Sequence, residues 1–315
     1  MTSSPKIAVI AVGGNALSPP GERSTIADQF RHSRESLGPI VDFALDGWGL
    51  VVVHGNGPQV GDELVRNEKA RNEVAPLPLG VLVAATAGWI GYMLQQSLEN
   101  ALRRAGSSRD VVTILTQVEV PADDPALKDP TKFIGHGLSP VRAKELRGEG
   151  HGVKKDAKGR LRRVVGSPRP IAIHELSTIR SLVERETVVI ACGGGGIPVY
   201  RDPQLGLEGV DAVVDKDLAA AVLARELGAE LLLILTDVDA VYTGWGTEEQ
   251  KAIGSMSVAE ADRLAAAGAF GEGSMGPKVA AAVSYVRATG GRAIITELSK
   301  GREAVKGSGG TEVTP

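Results

Sequence analysis

The chain is 315 residues long, 43% hydrophobic and 23% charged, which excludes a disordered polypeptide and allows two domains or one large one. A formal net charge of −3 gives no case for a nucleic-acid partner, and a single cysteine, Cys192, excludes a disulfide framework or thiolate metal cluster. Glycine, at 40 residues, is in excess and bunched rather than periodic, which points to loops where backbone approaches a ligand.

Strand-like runs alternate with helix-like ones from the start. Met1–Lys6 carries no secretory pattern and leads into an apolar strand at Lys6–Val12, followed by Gly13-Gly14-Asn15; a cytoplasmic protein is the expectation. Thr25–Asp46 reads as one helix, stopped by Gly47–Gly49. Leu50–His54 is a second strand, ending in Gly55-Asn56-Gly57-Pro58. A polar helix near Val60–Ala70 precedes the apolar stretch Leu79–Leu94, which falls short of the ~20 residues of a membrane span. It reads as a buried helix running to about Arg104, with a strand at Val111–Leu115 after it. No membrane partner is expected.

Residues from Pro121 to Arg169 break the rhythm with five prolines and a basic run. Between Arg142 and Arg163 stand nine Lys or Arg against three acids, with a hairpin turn at Lys158-Gly159-Arg160. This segment reads as an excursion from the sheet, a lobe over about 120–170 whose charge forms a solvated face. The alternation then resumes. Thr187–Cys192 is a strand ending in Gly193-Gly194-Gly195-Gly196, Asp215–Leu227 a helix, and Leu231–Leu235 a strand ending in Thr236-Asp237. Helices at Ser257–Ala267 and Lys278–Thr289, a strand at Arg292–Thr296 and a last edge strand at Gly310–Val313 complete the pattern. Short apolar strands between helices imply a mainly parallel sheet covered on both faces, with a front half (1–185) and a back half (186–315).

Three glycine turns, at 13–14, 55–57 and 193–196, follow strands directly and so lie at carboxyl ends, where open parallel sheets bind ligands. Backbone N–H groups there suit an anion. Neither G-x-x-x-x-G-K-[ST] nor a G-x-G-x-x-G opening the first helix is present, so phosphate would fall to isolated lysines. Lys132, in Pro130-Thr131-Lys132, edges the basic lobe, while Lys216 and Lys278 open helices, where a bound anion would offset the cost of placing a cation. The five histidines are scattered without ligand spacing, and no metal-ligand set is expected.

Gly13-Gly14-Asn15-Ala16, the run His54–Gly61, Pro130-Thr131-Lys132, the run Ala191–Pro198, Asp215-Lys216-Asp217, Leu235–Asp239 and Ser274–Lys278 together resemble the carbamate kinases of the amino acid kinase family. They occur in family order over the whole chain. Ala11-Val12 stands where many other members carry a lysine, a feature that carbamate kinases share. The resemblance implies an α/β/α sandwich with a small protruding lobe, and phosphoryl transfer between ATP/ADP and carbamate/carbamoyl phosphate with Mg²⁺, in a homodimer. It implies that Lys132, Lys216 and Lys278 neutralise phosphoryl charge and that Asp217 orients them. It further implies that Gly13, Gly14, Asn15, Gly55, Asn56 and Gly57 cradle carbamate and the γ-phosphate, and that Thr236, Asp237, Tyr242 and Met275 line the nucleotide pocket. Leu77–Gly80 and Ala85–Gly88 depart from the family pattern, as does Gly166, where the family tends to have proline. Two alternatives stay open on these grounds: a kinase of the same fold acting on another small carboxylate or phosphate, and a non-catalytic sensor.

Overall fold

Runs of Val, Ile, Leu and Ala with no polar face form the strands of a central sheet, because only a strand covered on both sides buries every side chain. The computed structural model describes residues 5–14, 25–156, 158–271 and 275–315. In chain order, the first part holds β1 (Ile7–Val12), α1 (Ile26–Ser36), α2 (Gly38–Leu45), β2 (Gly49–His54), α3 (Gly57–Ala70), α4 (Leu79–Arg104) and β3 (Val111–Thr113). The excursion follows as β4 (Gln117–Glu119), α5 (Pro125–Lys128), β5 (Lys132–Ile134), α6 (Pro140–Gly148), β6 (Gly152–Lys155), β7 (Leu161–Val165) and β8 (Ala172–Ile173). Next come α7 (Leu176–Glu184), β9 (Val188–Ile190), β10 (Ile197–Asp202), β11 (Gly206–Gly209), α8 (Lys216–Leu227) and β12 (Leu231–Thr236). The chain closes with β13 (Val241–Thr243), β14 (Lys251–Ile253), β15 (Ser255–Ser257), α9 (Val258–Ala266), α10 (Met275–Thr289), β16 (Arg292–Glu297), α11 (Gly301–Val305) and β17 (Thr311–Thr314).

Among the described residues, eight strands pair in the order β15-β17-β16-β12-β1-β2-β9-β3. Neighbours are parallel except β16 and β17. Alternation along β1 fills two cores: Val9 and Ala11 pack toward α7, α8 and α10, while Ala8, Ile10 and Val12 pack toward α2, α4 and α11. The result is an α/β/α sandwich. The strands β16, β12, β1, β2, β9 and β3 all present their carboxyl ends on one edge, which carries the site, while β17 and β15 run the opposite way.

Two elements differ from the sequence expectation. Thr25–Asp46 is two helices, because Pro39 lacks an N–H and its ring crowds the preceding turn, so α1 ends and α2 begins at Leu37-Gly38-Pro39. The C-terminal strand, β17, is internal to the sheet rather than its edge. It lies between β16 and β15, and the short polar Ser255–Ser257 takes the edge. The excursion forms a three-stranded antiparallel sheet, β5-β7-β6, backed by α6, with Gly159 at φ 74° in the expected hairpin turn. Its flanking strands β4 and β8 join a separate sheet with β10 and β11.

Candidate active site

Three strand ends meet first. The Gly13 N–H donates to the Leu235 carbonyl (3.2 Å) and the Gly55 N–H to the Val12 carbonyl (3.1 Å), which pins the turns after β1, β2 and β12 together. A Cβ on Gly55 would stand 3.0 Å from the Gly14 nitrogen and 3.3 Å from Lys216 Cδ, so any side chain here would press the two turns apart by a few tenths of an ångström. Asn56 precedes α3, but its side chain does not cap the helix. It is buried instead, with Nδ2 donating to Thr86 Oγ1 at 2.9 Å. The first N–H groups of α3, beginning at Gly57, are thereby left at the disposal of an anion. Asn15, Glu272, Gly273 and Ser274 lie outside the described residues.

The three sequence-selected lysines meet at the start of α8. Asp215 is the N-cap of this helix and accepts from the Asp217 and Leu218 N–H groups. Lys132 Nζ reaches across from the lobe to Asp215 Oδ2 at 2.5 Å. Lys216 Nζ bonds Asp217 Oδ1, and Lys278 Nζ, from the first turns of α10, lies 3.2 Å from Asp217 Oδ2. Asp217 therefore holds Lys216 and Lys278, one at each oxygen, two of the three lysines that it was expected to orient. Lys132, however, is held by Asp215, a residue the sequence reading did not select. An aspartate directly before a helix start, the usual N-cap residue, is the signal that marks it.

Burial alone would raise the Asp215 carboxyl, but the Lys132 ammonium bonded to it, with Lys216 nearby, holds it down at about 2. Burial also pushes the Lys216 ammonium below its ordinary range; Asp217 opposes that shift and Lys278 adds to it. Three ammonium groups meet two carboxylates here, a positive surplus beside two glycine turns.

Gly13 also lines a cavity of about 230 Å³ at the ends of β1, β12 and β16, with Leu235, Thr236, Asp237, Glu297 and Leu298. Thr236 and Asp237 thus stand where a strand-end ligand would lie. Tyr242 and Met275 are not among its lining residues. Tyr242 donates to Asp239 Oδ1 (2.7 Å) and packs edge-on against Trp245, while Met275 packs against the core beneath α8 and α10. Glu297 and Leu298 escaped the sequence reading because nothing before the fold places β16 beside β12.

The tetraglycine turn is packed tightly on its Cα side, and two of its N–H groups are spent within the turn. Gly195 and Gly196 donate their N–H groups to the Cys192 and Gly193 carbonyls. Added Cβ atoms at Gly194, Gly195 and Gly196 would overlap Asn56, Val214 and Val118 respectively, and one at Gly193 would stand 2.6 Å from His54 Nε2. His54 lies fully buried beneath this turn, its Nδ1 3.0 Å from the Gly55 carbonyl. Burial drives its pKa down to about 4, the Lys216 charge adding to the effect, so it is neutral and no base for chemistry at pH 7. Between pH 6.5 and about 4 the unfolded chain binds a proton at His54 that the folded chain refuses. Stability is thus expected to fall as pH drops through that window, by on the order of 3 kcal/mol. Urea unfolding of wild type and His54→Gln at pH 7.5 and 5 checks this: the wild type should lose more, and parallel losses would contradict it.

A family model, the amino acid kinase family, matches residues 6–297, and the chain belongs to that family. It is 43% identical over 314 residues to the carbamate kinase of Pyrococcus horikoshii, covering 99% of this chain and all of that one. To the carbamate kinase-like protein YqeA of Escherichia coli it is 42% identical over 309 residues, 97% of this chain and 98% of the relative. The solved structure of the Giardia lamblia carbamate kinase bound to AMP-PNP superposes with a TM-score of 0.91 at 36% identity, over 99% of each chain.

Proposed function

We propose that this chain transfers a phosphoryl group between ATP and carbamate, forming ADP and carbamoyl phosphate, and the reverse. The observation that carries the reading is the convergence of Lys132, Lys216 and Lys278 on Asp215 and Asp217 beside the Gly14–Gly55 contact. In-line phosphoryl transfer asks mainly for positioning and charge neutralisation, and this cluster supplies both. Carbamate is already an anionic nucleophile, so no general base is needed; a neutral, buried His54 agrees with that.

In this reading the front half, 1–185, takes carbamate and the transferring phosphoryl at Gly13, Gly14, Asn15, Gly55, Asn56 and Gly57. Gly14 and the N-terminus of α3 act through N–H groups, while Gly13 and Asn56 fix the loops. The back half, 186–315, takes the nucleotide in the cavity beside Thr236 and Asp237, with Tyr242 and Met275 on the elements around it. Among the described residues no group of three His, Cys, Asp or Glu could hold a metal ion, and both site aspartates carry lysines. Mg²⁺, brought in with the nucleotide, would offset charge on its phosphates, while Lys132, Lys216 and Lys278 supply the protein's own positive charge.

The protein works as a cytoplasmic homodimer in this reading. Among the described residues no helix is long and apolar enough to cross a membrane. The outer face of α4 presents Val81, Ala85 and Tyr92, with Leu77 and Leu115 also exposed, an apolar patch suited to a second copy.

One observation favours a shifted acceptor. The segment that departs from the family pattern falls on the first turns of α4, where Thr86 holds Asn56, so a change there would act through the 55–57 loop. The two readings separate when purified enzyme with Mg²⁺ and ADP is offered carbamoyl phosphate and acetyl phosphate in parallel. The proposal expects carbamoyl phosphate to be preferred at least tenfold in kcat/KM. Preference for acetyl phosphate would transfer the reading to another carboxylate.

A further inference from the structure

Lys132 is the only one of the three lysines carried by the lobe, so its position depends on how the lobe rests on the sandwich. The resting point is a contact of backbone on backbone. A Cβ on Gly61, in the second turn of α3, would overlap the Cα of Gly135 and stand 2.5 Å from its nitrogen. Backbone cannot swing aside as a side chain can. Gly135 follows β5 and adopts φ 65°, and its carbonyl accepts from Arg162 Nη2 at 2.7 Å, which fastens the turn to β7. Two polar contacts flank the seat. His136 Nε2 lies 2.7 Å from Asp62 Oδ1, and Glu68 on α3 accepts from Arg142 (2.6 Å) and Arg163 (2.7 Å) of the lobe.

Gly57 and Gly61 stand one turn apart on the same face of α3. The helix end offered to the substrate anion and the seat of the lobe are therefore parts of one rigid element. We propose that Gly61 is a positioning residue for the reaction: the bare backbone at this point lets the lobe settle on α3 and sets Lys132 over the start of α8. The Glu68 clamp holds it there. This rests on the phosphoryl-transfer reading for its kinetic consequence, though not for its geometry.

Gly61→Ala tests it. Alanine is the better helix former, so α3 itself gains from the change, while the lobe must lift. A displacement of about 1 Å at a catalytic group costs up to about 10²-fold in rate. The variant should therefore lose at least tenfold in kcat, with ADP affinity by calorimetry within about twofold of wild type. In a Lys132→Ala background the same change should cost less than about twofold, because the group it misplaces is already gone. Amide hydrogens over 132–165 should exchange faster in Gly61→Ala than in wild type, a readout independent of any reaction. Glu68→Gln, which leaves both backbones untouched, should show the same dependence on Lys132 in weaker form and decides the matter if Gly61→Ala fails to fold. Unchanged kcat, full multiplication of the Gly61 and Lys132 losses, or unchanged exchange would each overturn the proposal. Wild type without turnover, together with faster exchange in Gly61→Ala, would sink the reaction reading and leave the seat standing.

Discussion

Lys132→Ala is expected to lose on the order of 10²-fold or more in carbamoyl phosphate turnover while binding ADP within about twofold of wild type. The separation follows from where the residue stands. Lys132 comes from β5 in the lobe and reaches the start of α8, bonded to Asp215, whereas the cavity beside Thr236 and Asp237 is lined without it. A charge placed for the transferring phosphoryl matters most when that group is between donor and acceptor, so its loss appears in kcat. Calorimetric ADP titration beside a coupled ATP-formation assay reads both quantities. A fall in ADP affinity matching the fall in rate would place Lys132 at the nucleotide instead.

Asp217→Asn should be comparably severe, for a different reason. This buried carboxylate bridges Lys216 and Lys278, and an amide of the same shape would remove the charge that the two ammonium groups share. A rate loss on the order of 10²-fold is expected, since both lysines lose the geometry that makes them useful. The sign of the pH effect is also fixed. Burial already holds Lys216 below its ordinary range, and Asp217 is the main group opposing that shift, so removing its charge lowers the lysine further. The alkaline limb of the kcat profile should move to lower pH in Asp217→Asn. A profile superimposable on that of wild type would show that Lys216 does not act as a cation in the reaction.

Much of the fold was legible because its strands are buried on both faces and stop at glycine turns, which leaves periodicity and length as strong signals. Lys6–Val12, Leu231–Leu235 and the long apolar helix from Leu79 to about Arg104 are read from the length of their apolar runs. What failed was contextual. Gly38-Pro39 split a helix whose apolar pattern continues across the break. Ser255–Ser257 is too short and polar to announce itself, so the sheet's edge was assigned to the wrong strand. The lysines stood out through their settings at helix starts and in Pro-Thr-Lys, but the partner of Lys132 lies 83 residues away, and no local pattern encodes that pairing. Gly193–Gly196 shows the same limit. A glycine run after a strand signals backbone close to something, and the close neighbours of Gly194, Gly195 and Gly196 are Asn56, Val214 and Val118, which no local pattern names.

The central claim is that the lysine cluster performs transfer rather than mere binding. The most direct measurement is the initial rate of ATP formation by the purified wild-type protein given Mg²⁺, ADP and carbamoyl phosphate, with Lys132→Ala run beside it. The account predicts steady ATP production by wild type that rises with carbamoyl phosphate and is lost in the variant. Calorimetric binding of ADP with no ATP formed by wild type would contradict it and make the protein a sensor.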